Sequence, residues 1–135
     1  MLISKYEYPT LRRETQTNGK RQYVGDDSIP VPSVTTVLSE TGDKTALIAW
    51  RKRVGDAEAT RISTEAAGLG TKVHNAIEKY ILQEEWDTFG NNHVSILAKT
   101  MTTMMVENGL NKIDELWGVE VGLIAAGLYA GTSDA

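Results

Sequence analysis

The sequence predicts a mixed α/β chain of the α+β kind: short strands first, a helical middle, and two adjacent strands at the C-terminal end. Three observations predict it. Apolar residues recur at three- and four-residue spacing through the middle of the chain, from Lys44 to about Leu116. After residue 116 the pattern changes to short runs of β-branched, aromatic and small residues separated by a turn signal. Before residue 43, prolines and Gly-Asp-Asp interrupt any long period. At 135 residues the expectation is one domain, divided as 1–42 (strands and a short helix), 43–116 (helices) and 117–135 (two core strands).

Residues 2–8, LISKYEY, alternate roughly in polarity up to Pro9 and predict an extended arm or edge strand. Arg21-Gln-Tyr-Val24 predicts a second strand, and the GDDSIPVP that follows predicts irregular backbone. Ser33, directly after Pro32 and before VTTVL, is a natural N-cap for a short helix ending near Gly42. A helix is expected from Lys44 to Gly55 and another from Asp56 to about Ala67. At Gly68-Leu-Gly70 a break is expected, or a place where another backbone or a ligand comes close, because each glycine inside a helix costs about 1 kcal/mol relative to alanine. The segment GTKVHNAIEKY continues to about Glu85 with Val73, Ile77, Tyr80 and Ile81 as one stripe. Residues 94–116 predict a further long helix, with Leu97, Met101, Met104 and Met105 as its core-packing side. Trp117 to Ala125 reads as a strand, Ala126-Gly127 as a turn, and Leu128 to Asp134 as the returning strand.

Composition narrows the chemistry. Hydrophobic residues are 41% and charged residues 24% of the chain, the balance of a globular protein rather than a disordered one. The longest apolar run falls far short of the ~18 residues of a membrane span, and no signal peptide is evident, so a cytoplasmic location is expected. With no cysteine, thiolate sites are excluded, and His, Asp and Glu remain as the strong metal-binding side chains. That set suits hard ions such as Mg2+ or Mn2+. The net charge of −4 is uneven: residues 1–61 hold ten Lys/Arg against eight Asp/Glu (+2), and residues 62–135 hold four against ten (−6). A basic first half can face phosphates, although an ordinary mixed surface explains the same distribution.

At 100° per residue His74 and Glu78 lie one above the other beside the Val73/Ile77 stripe, where a side chain can reach a cleft from an anchored backbone. A surface hydrogen-bonded pair fits the same spacing. Glu120 and Asp134 fall within or at the end of the two C-terminal strands, among mostly apolar or small residues, where an unpaired carboxylate would be expensive and a bound cation would offset the cost. Solvent exposure of both is the plain alternative.

In order, PSVTTVLSET (32–41), LIAWRKRVG (47–55), GLGTKVHNAIEKYI (68–81) and GVEVGLIAAGLYAGTSDA (118–135) resemble the N-terminal part of the RecB-like branch of the PD-(D/E)XK nuclease superfamily. Within it the resemblance is to phage exonucleases and the mitochondrial genome maintenance exonuclease. No segment is specific alone; their order carries the resemblance.

The resemblance implies a restriction-endonuclease-like core and a metal-dependent DNA exonuclease acting on single strands or ends. It assigns His74 and Asp134 as ligands of Mg2+ or Mn2+, Glu78, Glu120 and Asp134 as catalytic carboxylates, and Ser33, Thr35, Arg51 and Arg53 as contacts to the DNA backbone. For these last four, helix capping and solvated helix charge are equally good readings. The family's next strand, bearing Asp/Glu-x-Lys, is not found before Ala135. The expectation is therefore an incomplete nuclease domain, inactive alone, with self-association or a second polypeptide completing the core. Two rival classes remain open: a non-catalytic nucleic-acid-binding module and a helical protein-interaction domain.

Overall fold

The computed structural model describes residues 2–135. It is a mixed α+β fold of four helices and two small antiparallel sheets. Strands β1 (Arg12–Thr15), β2 (Arg21–Val24) and β3 (Pro30–Pro32) form one sheet in that order, and β4 (Val121–Ala125) pairs with β5 (Tyr129–Ser133) in the other. The helices are α1 (Val34–Thr41), α2 (Thr45–Val54), α3 (Asp56–Ile81) and α4 (His93–Asn108), followed by a 3-10 turn at Leu110–Lys112. Two compact units result. One is helical, built from residues 44–116 with Leu2; the other joins residues 3–43 to residues 117–135.

In the helical unit, α2 ends and α3 begins at one residue, Gly55, whose φ of 87° is open to glycine and strained for other residues. Arg51 braces this corner, donating from Nε to Asp56 Oδ1 at 3.3 Å and from Nη2 to Thr60 Oγ1 at 3.1 Å. The expected break at Gly68-Leu-Gly70 does not occur: α3 runs unbroken from Asp56 to Ile81. Nor does a neighbouring backbone come close there, because a Cβ added at either glycine would meet nothing within 4 Å. The flanking alanines and long polar residues sustain the helix through a local cost of about 1 kcal/mol per glycine. Gly68→Ala and Gly70→Ala are accordingly expected each to raise stability by up to about 1 kcal/mol. A urea titration showing either variant less stable than the parent would contradict that.

Charge pairing supports the exposed N-terminal half of α3. Arg61 donates to both oxygens of Glu58, at 3.0 and 2.8 Å, and to Glu65 at 2.9 Å. The hydrogen bonds from Arg61 hold the Glu58 carboxyl below its usual range. Its contribution is present at neutral pH and is lost as pH falls through that lowered value.

The predicted methionine face of α4 is reversed. Leu97, Met101, Met104 and Met105 are exposed, while Ser95, Ala98 and Thr102 are buried. α4 packs mainly on α3, and the residues it buries, Ser95, Ala98 and Thr102, are all small. Size, not hydrophobicity, decided which face turned inward. The helix also stops at Asn108, short of the expected 116, with Gly109 at its C-terminus donating to the Met105 carbonyl.

In the β-rich unit, the segment expected as an arm or strand at 2–8 is not a strand; Leu2 makes only an isolated bridge to Leu116 within the helical unit. Aromatic contacts hold the rest. Tyr8 Oη donates to the Trp117 carbonyl at 3.0 Å, Tyr6 meets the Trp117 ring edge-on at 5.6 Å, and Lys5 Nζ stands 4.0 Å from that ring's centre. The first strand is instead Arg12–Thr15, turned into β2 by Asn18-Gly19 with Gly19 at φ 81°. Pro30 and Pro32, expected to block regular structure, flank a buried Val31 in β3, the edge position at which proline is tolerated. Tyr23, Val31 and Ala130 form the core of this unit, with Leu11 and Ile124 against them.

The C-terminal hairpin forms with the predicted turn, but its first strand begins at Val121 rather than Trp117, and its second runs Tyr129–Ser133. Its register pairs Val121 with Ser133 and Ala125 with Tyr129, and Gly127 at φ 74° makes the turn. No helix among the described residues is long and apolar enough to cross a membrane.

Candidate functional site

His74, Glu78, Arg51 and Arg53 belong to the helical unit, and Ser33, Thr35, Glu120 and Asp134 belong to the β-rich unit. On α3, His74 and Glu78 occupy successive turns and both are half-buried, with Val73 buried beside them. This is the expected border of the apolar stripe: Val73, Ala76 and Ile81 anchor the helix, and the His74–Glu78 track lies along the edge of that anchor. An imidazole and a carboxylate one turn apart are set to act on a common small ligand or to hydrogen-bond each other.

On the hairpin, Glu120 and Asp134 are the residues just outside the last ladder pair. The Glu120 N–H donates to the Asp134 carbonyl at 3.1 Å, which continues the β4–β5 register by one position. Two carboxylate-bearing residues are thereby held side by side at the open end of the hairpin. Glu120 has φ 51°, a left-handed conformation that costs free energy for a residue with a Cβ. Both residues are exposed. Of the two readings the sequence left open for these carboxylates, exposure is the one found: the strands are so short that their ends reach solvent.

Ser33 is 2% exposed. Its Oγ accepts from the Thr36 N–H at 3.0 Å, lies 2.8 Å from Thr36 Oγ1 and lies 3.1 Å from Thr35 Oγ1. The hydroxyl is committed to capping α1, and an isolated bridge ties Ser33 to Ala130 of β5. Ser33→Ala is expected to cost about 0.5–2 kcal/mol; an unchanged unfolding midpoint would show that the cap contributes nothing. Thr35 is exposed on the first turn of α1. Arg51 is occupied with Asp56 and Thr60, as described above, while Arg53 is exposed in the last turn of α2.

The donors are one imidazole and three carboxylates, with no thiolate in the chain. That chemistry fits Mg2+ or Mn2+, and suits a soft metal poorly. Sequence reasoning missed Arg13, Lys20 and Tyr129, which line hollows on the β-rich unit. The Asn18-Gly19 turn signal was enough to find the first two, because it places them on paired strands or at the turn between them. Comparison of the chain with protein-family models, curated proteins and solved structures returns no match.

Proposed function

We propose that the chain is a metal-dependent DNA exonuclease that hydrolyses phosphodiester bonds of single strands or ends, with a restriction-endonuclease-like core of which the β4–β5 hairpin is part. The observation that carries this reading is the pairing of Glu120 with Asp134 at the open end of the hairpin, fixed by the backbone hydrogen bond between them. His74 and Glu78, half-buried on adjacent turns of α3, support it with the second kind of donor.

In this reading His74 and Asp134 ligate the divalent ion, which when bound supplies Lewis acidity toward the scissile phosphate and toward water. The chain's own residues do the rest. Glu78 and Glu120 orient the attacking water and accept its proton. As the water oxygen bonds to phosphorus, the ester P–O bond breaks and the departing oxygen takes a proton from solvent.

The test is hydrolysis of end-labelled single-stranded DNA with Mn2+, with and without EDTA, over a range of protein concentrations. EDTA-sensitive release of label supports the reading, and a rate rising faster than linearly with concentration supports completion of the site by self-association. Neither hydrolysis nor Mn2+ binding at any concentration would overturn it. A second reading, nucleic-acid binding without catalysis, draws support from Arg13, Lys20 and Arg21 around one hollow of the β-rich unit. It predicts binding that falls steeply with salt and ignores EDTA.

A further inference from the structure

Two hollows adjoin on the β-rich unit and share Arg21 and Thr35 as a common wall. The first has a volume of about 570 Å3, inside the ~300–1,000 Å3 range of small-molecule sites. Its walls are mainly apolar, from Tyr23, Val34, Leu123, Ile124 and Tyr129. Leu123 and Tyr129 are 50% and 46% exposed, so a flat ligand can reach them. Gly131 contributes to the same wall, where an added Cβ would stand 3.3 Å from Val34 Cγ2 and narrow the space.

The second hollow, about 410 Å3, has the opposite character. Arg13, Lys20 and Arg21 line it together with the hydroxyl residues Thr15, Thr36 and Ser39. Glu40 also lines it and pairs with Lys20 at 2.9 Å. The remaining guanidinium groups leave an excess of positive charge facing the hollow.

A ligand that satisfies both hollows needs a flat, largely apolar part joined closely to an anion. An apolar peptide or a second copy of the hairpin would leave the guanidinium groups unmatched. A nucleotide matches both. Its base stacks on an aromatic ring without regard to sequence, and its phosphate takes the guanidinium and hydroxyl contacts that such oxygens prefer.

We propose that the paired hollows form a nucleotide subsite: the base lies against Tyr129 and Leu123, the phosphate lies by Arg21 and Thr35, and the occupant is the terminal nucleotide of a single strand. The choice of a strand rests on the nuclease reading; the nucleotide chemistry rests on the hollows alone.

The experiment is done in EDTA so that no hydrolysis intervenes. Deoxyadenosine 5′-monophosphate, deoxyadenosine and inorganic phosphate are titrated while the amide resonances of Gly131 and Thr132 are followed. The monophosphate is expected to bind at least about tenfold more tightly than either half. Tyr129→Ala should bring it down to the level of phosphate, and Arg21→Gln down to the level of deoxyadenosine. Unchanged circular dichroism shows that both variants fold; both positions are partly exposed. Tighter binding of a short oligothymidylate than of thymidylate supports the strand terminus, and equal binding overturns that part. Monophosphate binding no tighter than phosphate, or indifferent to Tyr129→Ala, overturns the subsite. Loss of Mn2+-dependent hydrolysis alongside intact nucleotide binding would sink only the nuclease reading, and the converse result only the subsite.

Discussion

His74→Ala is expected to weaken Mn2+ binding at least about tenfold and to lower Mn2+-dependent hydrolysis at least about a hundredfold, with the helicity of α3 unchanged. Alanine is the best helix former, so the substitution removes the imidazole without disturbing the turn that carries it. Asp134→Asn should do the same from the hairpin, since it keeps the size of the side chain and removes only the charge that a hard cation requires. The rival assignment, a surface hydrogen-bonded pair with Glu78, predicts something quite different for His74→Ala: a stability change of about 0.2–0.5 kcal/mol and no effect on metal. Calorimetric titration of Mn2+ into the parent and both variants separates the two. Equal affinities in all three would dismiss His74 and Asp134 as ligands, whatever the activity.

The largest stability effect is expected at Ile81. This last residue of α3 is 2% exposed and is among the largest fully buried side chains of the protein. Truncation to alanine removes its transfer free energy and leaves a cavity, a loss of about 2–5 kcal/mol. Against a total of about 5–15 kcal/mol for a domain, that is a third or more of the whole at the low end. The helical unit has little to share the loss, because the other buried positions of α3 are Ala59, Val73 and Ala76. Urea unfolding followed at the helical band should show the midpoint fall sharply. A change under about 1 kcal/mol would mean that the unit relaxes into the space.

Where one physical term dominated, the sequence was readable. The Ser33 cap, the Gly55 corner and the Gly127 turn each depend on a single local preference, and each stands where that preference puts it. The stripe beside His74 was legible because Val73 and Ile81 are large and have no competitor on their side of α3. Errors came where terms competed. At Gly68 and Gly70 the glycine penalty lost to the cooperativity of a 26-residue helix. On α4, the packing of small residues against α3 outweighed the burial of four large apolar side chains, an outcome that periodicity cannot anticipate because both faces have the same period. For Glu120 and Asp134 the sequence left burial and exposure both open, because the choice depends on where each strand stops, and strand ends are set by pairing partners rather than by the residues themselves. The exposed aromatic Tyr129 was read only as a strand former, although its neighbourhood with Arg21 arises from contacts between β2 and β5, far apart in sequence.

The order of the units along the chain has a consequence for biogenesis. Residues 3–43 and 117–135 belong to one unit, and the helical residues lie between them in sequence. During synthesis β1 to β3 and α1 leave the ribosome long before β5, whose Ala130 completes their small core with Tyr23 and Val31. The nascent β-rich half must wait, with part of its apolar surface uncovered, while the helical residues emerge and fold on largely local contacts. Helix formation then shortens the tether that β4 and β5 have to close, which reduces the loop entropy of the final step. In refolding, helical signal should therefore appear before the fluorescence change of Tyr23 and Trp117, and a translational pause within the α3 or α4 codons would lengthen the interval in which the waiting half is vulnerable to proteases.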